Sequence, residues 1–433
     1  MLTKELYQLF LKNPIVDTDT RKIRKGSIFF ALKGENFNGN HFAAQALEKG
    51  ADYVVTDENT DTPPHKTIRR KSSLLALQQL AAEHRRHLPA KVIGITGTNG
   101  KTTTKELLNA VLSKKYNVYA TQGNLNNHIG VPLTLLNATA GDEILIVEMG
   151  ASHPGEIADL CRIADPDAGI ITNIGKAHLE GFGDENGVYN TKKALFDHII
   201  HKNGTLFFPE KEKWLHTYKD YPKAYTYGDG SGLLSGKIIS ACPAMNVNII
   251  SGDASPETFN VEINTHLFGE YNLSNILAAT AVGIHFNINC NQIAEAIEAY
   301  IPQNNRSQIL QTSMNVIILD AYNANPTSMA NALLAFSKSV GQQKAVILGD
   351  MLELGEKSEI EHLTILKMLE TLNLKKIFLV GKKFSKVNNQ DKFIAFTDVE
   401  HCRKYLAKKP LEGYTILIKG SRGISLEKLK DIV

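Results

Sequence analysis

The sequence predicts an α/β protein of three domains, built on parallel sheets whose faces are covered by helices. Three observations predict it. Short β-branched runs alternate with helix-patterned segments along most of the chain. One of those runs leads through a glycine-rich turn, Gly94-Ile95-Thr96-Gly97-Thr98-Asn99-Gly100-Lys101-Thr102-Thr103, straight into a helix start. And 433 residues of ordinary composition, 43% hydrophobic and 21% charged, suffice for several cores.

The first domain is expected over 1–88. Ile28 to Leu32 and Tyr53 to Thr56 read as buried strands. Between them His41 to Lys49 reads as a helix with Ala43, Ala46 and Leu47 inward, stopped by Gly50. Ser73 to His87 reads as a second helix, ended by Pro89. The second domain, 89–303, opens with the strand Val92 to Ile95 and the helix Thr103 to Leu112. Glu143 to Val147 and Gly169 to Thr172 continue the strand–helix rhythm, which argues for a central P-loop parallel sheet. Leu206 to Val261, richer in Gly, Pro, Ser and Tyr, is expected to form an antiparallel excursion. A helix follows from Tyr271 to His285. The third domain, 304–433, carries strand candidates at Val316 to Leu319, Ala345 to Leu348, Ile377 to Val380 and Thr415 to Ile418. It reads as a C-terminal Rossmann-like domain without a Gly-x-Gly-x-x-Gly, so no nicotinamide site is implied.

The turn at 94–103 suits a triphosphate. Glycines let backbone N–H groups wrap phosphate oxygens, and the helix N-terminus adds a favourable dipole. Lys101 supplies a cation and the Thr102 hydroxyl a magnesium ligand. Ile95 stands where the strict pattern has its first glycine. A chance Gly-Lys-Thr in an ordinary turn is the plain alternative, and the flanking strand and helix argue against it. Ligands of open α/β sheets gather at the carboxyl ends of strands. There the chain places Glu148, a hard-ion ligand type, and a loop holding His178. Each alone also fits an ordinary surface or loop residue. Asn124 to Thr134 clusters amides before a Gly-x-Pro turn, which fits a helix cap or a substrate-orienting loop. Asp320 ends another strand and leads into Tyr322-Asn323-Ala324-Asn325-Pro326. Arg306 sits at the second domain boundary, either bridging a nucleotide or solvated in a linker.

These motifs resemble those of the Mur ligases, the ATP-dependent amide-forming enzymes of peptidoglycan assembly. The family loop Thr-Gly-Thr-Asn-Gly-Lys-Thr-Thr is Thr96 to Thr103, followed by Thr104-Lys105-Glu106. Asn124 to Thr134, Glu148 to Ile157, Asn173 to Phe182, Tyr322 to Pro326, Leu348 to Gly355 and Lys419 to Arg422 match further family motifs, so the resemblance spans essentially the whole chain. It implies a central P-loop ATPase domain, a nucleotide-sugar domain before it and a dipeptide-binding domain after it. The member type it points to joins D-alanyl-D-alanine to UDP-N-acetylmuramoyl-tripeptide through an acyl phosphate, using ATP and two Mg²⁺ ions. By that resemblance Gly97, Thr98, Asn99, Gly100, Lys101, Thr102 and Thr103 would cradle ATP, with Lys101 on the β/γ-phosphates. Thr102 and Glu148 would hold one Mg²⁺, and His178 the other together with a carbamylated Lys192. Asn272 and Asn275 would lie near adenine, and Arg306 and Asp320 near ribose or phosphates. Thr20, Arg21 and Asn36 would serve the nucleotide-sugar, and Asn127, Asn323 and Asn325 the peptide substrates. The family often reads Lys-Gly-Glu around the carbamylated lysine; here the run is Lys192-Lys193-Ala194. Carbamylation would reverse a cation's sign beside magnesium and supply the oxygens it prefers.

Other classes fare worse. With 48 basic and 45 acidic residues the net charge is +3, too balanced for a nucleic-acid or acidic-membrane partner. No apolar run approaches the ~20 residues of a membrane span. Met1 to Asn13 lacks a signal-peptide core, and the four cysteines, Cys161, Cys242, Cys290 and Cys402, are widely spaced. A cytoplasmic, monomeric enzyme is expected. A single-residue sister ligase would show Asp-Asn-Pro-Arg in the last domain, and a GTPase switch Asn-Lys-x-Asp; neither occurs. A folate polyglutamylating enzyme would not carry Tyr322 to Pro326.

Overall fold

Among the described residues three large sheets follow one another along the chain, each built mainly from parallel pairs, with one small two-stranded hairpin beside the first. The structure, a computed structural model, describes residues 2–228, 230, 232–241, 243–253, 255, 258–339, 343–388 and 393–433. In the first sheet Val16–Asp17, Ile28–Phe30, Tyr53–Thr56 and Thr67–Arg69 lie side by side, all parallel. Helices Thr3–Lys12 and Ser73–His87 pack together beside it, burying Leu6, Phe10, Leu77 and Leu80. Ala43 and Ala46 of the short helix Ala43–Glu48 are buried as expected, while Leu47 is only half-buried.

The second sheet has nine strands, in the order Asn260–Asn264, Asn246–Ser251, Leu234–Ser240, Ala224–Gly228, Thr205–Pro209, Ala168–Ile171, Lys91–Thr96, Ile144–Glu148, Val118–Ala120. From Leu234–Ser240 to Val118–Ala120 every pairing is parallel. The expected antiparallel excursion over 206–261 is therefore confined to the far edge, where Leu234–Ser240, Asn246–Ser251 and Asn260–Asn264 pair antiparallel. The reason is burial. Leu206, Phe207 and Phe208 are fully enclosed and feed the cores on both faces, as central parallel strands must. The edge strands alternate, with Val247 and Ile249 inward and Ile250 outward.

The third sheet runs Gln308–Gln311, Val316–Asp320, Thr415–Lys419, Lys344–Gly349, Lys376–Val380, Ile394–Phe396. Only its first pair is antiparallel. Thr415–Lys419, the last strand in sequence, inserts between Val316–Asp320 and Lys344–Gly349. Three loops thus leave the same sheet end as neighbours, starting after Asp320, Gly349 and Lys419. The two edge strands, Gln308–Gln311 and Ile394–Phe396, were not anticipated; they are short and partly exposed, so they lack a buried run. Cys161 and Cys402 are buried free thiols, and Cys242 lies outside the described residues. Among the described residues no helix is long and apolar enough to cross a membrane.

Candidate functional site

Register brings the first groups together. Thr96 pairs with Ile171 and Ile95 with Glu148, so three strands of the second sheet end side by side. The turn that follows needs its glycines. Gly97 has φ +147°, where a Cβ would run into Thr172 Oγ1; Gly100 has φ +82°, where one would meet Asn275 Oδ1. The helix Lys101–Leu112 starts there. Lys101 Nζ folds back to donate to Gly97 O at 2.7 Å and Thr98 O at 3.1 Å. Thr98 N donates to Asn173 O at 2.9 Å, and Asn99 N to Asn173 Oδ1 at 3.0 Å, tying the turn to the loop after Ala168–Ile171. Thr102 and Thr103 are buried at the helix start.

Glu148 is 1% exposed, and both its oxygens are engaged. Thr102 Oγ1 donates to Oε2 at 2.9 Å and Asn126 Nδ2 to Oε1 at 2.7 Å. A buried carboxylate facing a threonine hydroxyl at a helix start is a donor set of oxygens suited to a hard divalent cation. Asn126, rather than Asn127, is the amide that reaches this site. Asn127 Oδ1 accepts from Ile129 N at 3.1 Å and Gly130 N at 2.9 Å, the helix-capping role, while its side chain stays exposed on the cleft rim.

Two lysines are held in low-dielectric surroundings. Burial pushes the Lys101 ammonium below its usual range, and Arg306 adds to the effect while Glu148 opposes it. Lys192, the last residue of helix Glu185–Lys192, is 2% exposed. Burial, then the charge of Lys101, drives its pKa well below the ordinary lysine value. Lys192 does not line the cleft wall described below.

That wall is completed by the third sheet across a cleft of about 860 Å³. His178, in the left-handed region at φ +48°, places Nδ1 2.7 Å from Glu353 Oε2. The contact with His178 holds the Glu353 carboxyl below the usual range. Asn325 Nδ2 donates to Asn99 Oδ1 at 2.8 Å, a direct bond onto the phosphate loop, while its Oδ1 caps helix Pro326–Lys338. Asp320 accepts from Ser307 N at 3.2 Å and from the buried Lys419 Nζ at 2.6 Å. The Arg306 guanidinium lies 3.7 Å from the Tyr322 ring centre, and its buried Nε has no partner. Asn323 also faces the cleft. Asn275 Nδ2 donates to Asn272 Oδ1 at 2.8 Å, and Asn272 Nδ2 to Phe268 O at 2.8 Å, fixing this pair beside the turn.

Thr20, Arg21 and Asn36 are not brought to this cleft. Arg21 pairs with Asp19 at 2.7 Å and is exposed, Thr20 opens the same short turn, and Asn36 lies exposed beside the small hairpin of Lys33–Gly34 and Phe37–Asn38. Glu353, Asn126 and Ser421 were not singled out individually from the sequence. All three lie in runs that were quoted, so their position was legible but their contacts were not.

Three family models match the chain: "Mur ligase family, catalytic domain" over residues 14–99, "Mur ligase middle domain" over 95–283 and "Mur ligase, glutamate ligase domain" over 305–422. The chain is 34% identical to UDP-N-acetylmuramoyl-tripeptide–D-alanyl-D-alanine ligase of Bacillus subtilis, covering 96% of this chain and 93% of that one. It is 31% identical to the Escherichia coli protein of the same name, over 99% and 95%. Among solved structures, MurF from Acinetobacter baumannii superposes with a TM-score of 0.86 at 30% identity, over 96% and 92% of the two chains. The MurF ligase of Thermotoga maritima in complex with ADP gives 0.85 at 28% identity, over 96% of each.

Proposed function

The chain belongs to the Mur ligase family, and we propose that it joins D-alanyl-D-alanine to UDP-N-acetylmuramoyl-tripeptide, converting ATP to ADP and phosphate, as a cytoplasmic step of peptidoglycan precursor synthesis. One observation carries the reading. The phosphate turn, the Thr102–Glu148 pair, His178 and the polar loops of the third sheet all converge on one cleft of about 860 Å³. The division into 1–88, 89–303 and 304–433 then gives each substrate a body of its own.

The chemistry follows from the groups present. The tripeptide's terminal carboxylate attacks the γ-phosphorus of ATP, the bond to the β–γ bridging oxygen breaks, and an acyl phosphate forms. The dipeptide amine then attacks the activated carbonyl carbon, loses a proton, and phosphate departs. Such transfers need positioning and charge neutralisation more than covalent help. Lys101, now resting on its own turn carbonyls, would swing to the β/γ-phosphates; the exchange replaces two neutral acceptors with anionic ones. Arg306 has an orphaned buried N–H that an anion would satisfy. Asn272 and Asn275 would border adenine, and Asp320 the ribose.

The oxygens of the Thr102–Glu148 pair fit magnesium. Thr102 and Glu148 would hold one ion, and His178 with Lys192 a second. When bound, Mg²⁺ neutralises charge on the transferring phosphoryl oxygens. Lys192 fits that role only once modified. The neutral amine, which burial favours at Lys192, is the form that attacks CO₂, making an N–C bond with release of a proton. The product carbamate supplies oxygen ligands where an amine stood, despite Ala194 standing where relatives often have glutamate.

The test measures phosphate release from ATP with UDP-N-acetylmuramoyl-tripeptide and, in turn, D-alanyl-D-alanine, D-alanine or no amine. Release that needs the dipeptide, with the joined pentapeptide as product, is expected. Equal release with single D-alanine or without amine would contradict the reading.

A further inference from the structure

The Lys419-Gly420-Ser421-Arg422 run is the one conspicuous motif that nucleotide binding and phosphoryl transfer leave without a task. Its geometry is specific. Ser421 is 3% exposed and ties three neighbouring strand ends together. Its N–H donates to Asp350 O at 3.1 Å, its Oγ donates to Ala324 O at 3.2 Å, and Oγ accepts from Leu352 N at 3.0 Å. The next residue, Arg422, is therefore displayed from a cross-linked platform rather than from a loose loop. Its guanidinium lies 5.5 Å from the centre of the Tyr322 ring, which also carries Arg306 at 3.7 Å, and Arg422 lines the cleft.

The cations of this cleft differ in what occupies them. Lys419 is neutralised by Asp320 at 2.6 Å, and Lys101 donates to neutral carbonyls of the phosphate turn. Arg306 and Arg422 share one aromatic ring, and among the described residues no carboxylate pairs with either guanidinium. Two unneutralised guanidinium groups flanking one ring make a site for anions, and a planar guanidinium is matched to the two oxygens of a carboxylate. Arg306, next to the second sheet's helix through Ser307 and Tyr271, falls to the nucleotide. Arg422 sits on the third sheet alone, one residue beyond the Ser421 platform. That platform also holds the loop carrying Glu353, which touches His178. An anion bound by Arg422 is thereby registered against the reacting groups.

We propose that Arg422 anchors the C-terminal carboxylate of the incoming dipeptide, so that the free amine at the other end is presented to the activated carbonyl. The inference rests on the ligase reading above. It explains how a dipeptide is accepted: the anchor is a fixed charge, and the amine must lie two residues from it, about 7 Å of extended chain.

The experiment compares D-alanyl-D-alanine with D-alanyl-D-alaninamide, whose C-terminus is uncharged, in the wild type, Arg422→Ala and Arg422→Lys. The wild type is expected to show a KM about ten- to hundredfold higher for the amide, the scale of one charge-assisted contact. In Arg422→Ala the KM for the dipeptide rises to that of the amide, the KM for ATP stays unchanged, and the preference for the charged form disappears. Arg422→Lys keeps an intermediate preference, because the charge survives without the fork. Equal KM values for the two peptides in the wild type would overturn the proposal without any variant. A raised KM for ATP in Arg422→Ala with the peptide preference intact would overturn it by assigning the residue to the nucleotide. If the wild type makes no amide from either peptide, the ligase reading itself has failed.

Discussion

The phosphate turn is shaped largely by its own chain, whereas the wall facing it is assembled from three separated strand ends. At Gly97 and Gly100 the backbone itself demands glycine, and Lys101 rests on carbonyls three and four residues away. Opposite, Asp320, Glu353 and Arg422 come from segments far apart in sequence, and Ser421 and Asp350 hold them in register. Asp350 accepts from Lys383 N and Phe384 N at 2.8 Å, so even the support of that wall reaches into a further helix, Lys382–Val387. A local turn is preformed and tolerates little change in sequence. A composite wall can vary loop by loop, as the substrate-selecting role proposed for it requires.

Variants can break that comparison. The largest effect belongs to the turn. Lys101→Ala is expected to lower kcat by roughly 10³-fold, the scale of removing a preorganised charge from a transition state, with thermal unfolding close to wild type. Substantial residual turnover would mean that the turn is not where phosphate charge is neutralised. Next comes Lys192→Ala, with a loss of about 10²-fold, partly recovered by added short carboxylates. Its pH signature has a definite sign. Burial and Lys101 lower the amine's pKa, so the neutral, CO₂-reactive form holds a larger share than in an ordinary lysine and loses that share as pH falls. Activity of the wild type should therefore fall on acidification, and on bicarbonate depletion, and return with bicarbonate. A rate indifferent to bicarbonate, with wild-type activity in Lys192→Ala, would remove the carbamate.

Smaller effects test the facing wall. Glu353→Gln should cost about tenfold in kcat/KM, because the carboxylate 2.7 Å from His178 Nδ1 is lost; its magnesium dependence should shift in parallel, and unchanged values of both would leave the contact without a role. Ser421→Ala removes one donated and one accepted hydrogen bond in a buried position. Denaturant unfolding should register about 1–3 kcal/mol, with the KM for the dipeptide rising more than that for ATP.

The same contrast explains what could be read in advance. The strand–turn–helix at Lys91–Thr96 and Lys101–Leu112 was legible because mechanism and spacing lie within one short segment. Strands buried on both faces, such as Ile144–Glu148 and Lys344–Gly349, announced themselves as apolar runs. Gln308–Gln311 did not, since an edge strand with polar ends has no such run. The parallel pairing of Thr205–Pro209 was hidden by the turn-rich residues that follow it. Site contacts between regions were hidden for a further reason: nothing local to Glu353 or Asn325 says that its partner is His178 or Asn99. Asn126 and Asn127 are adjacent and alike in sequence, and only tertiary placement sends one to Glu148 and the other to a helix cap.

The most direct measurement follows an oxygen atom. With ¹⁸O in the terminal carboxylate of the UDP-linked tripeptide, attack on ATP and displacement by the dipeptide amine must leave one labelled oxygen in the released phosphate, formed together with ADP and the joined peptide. Phosphate that carries no label, while amide is still produced, would contradict activation of the acid at this cleft.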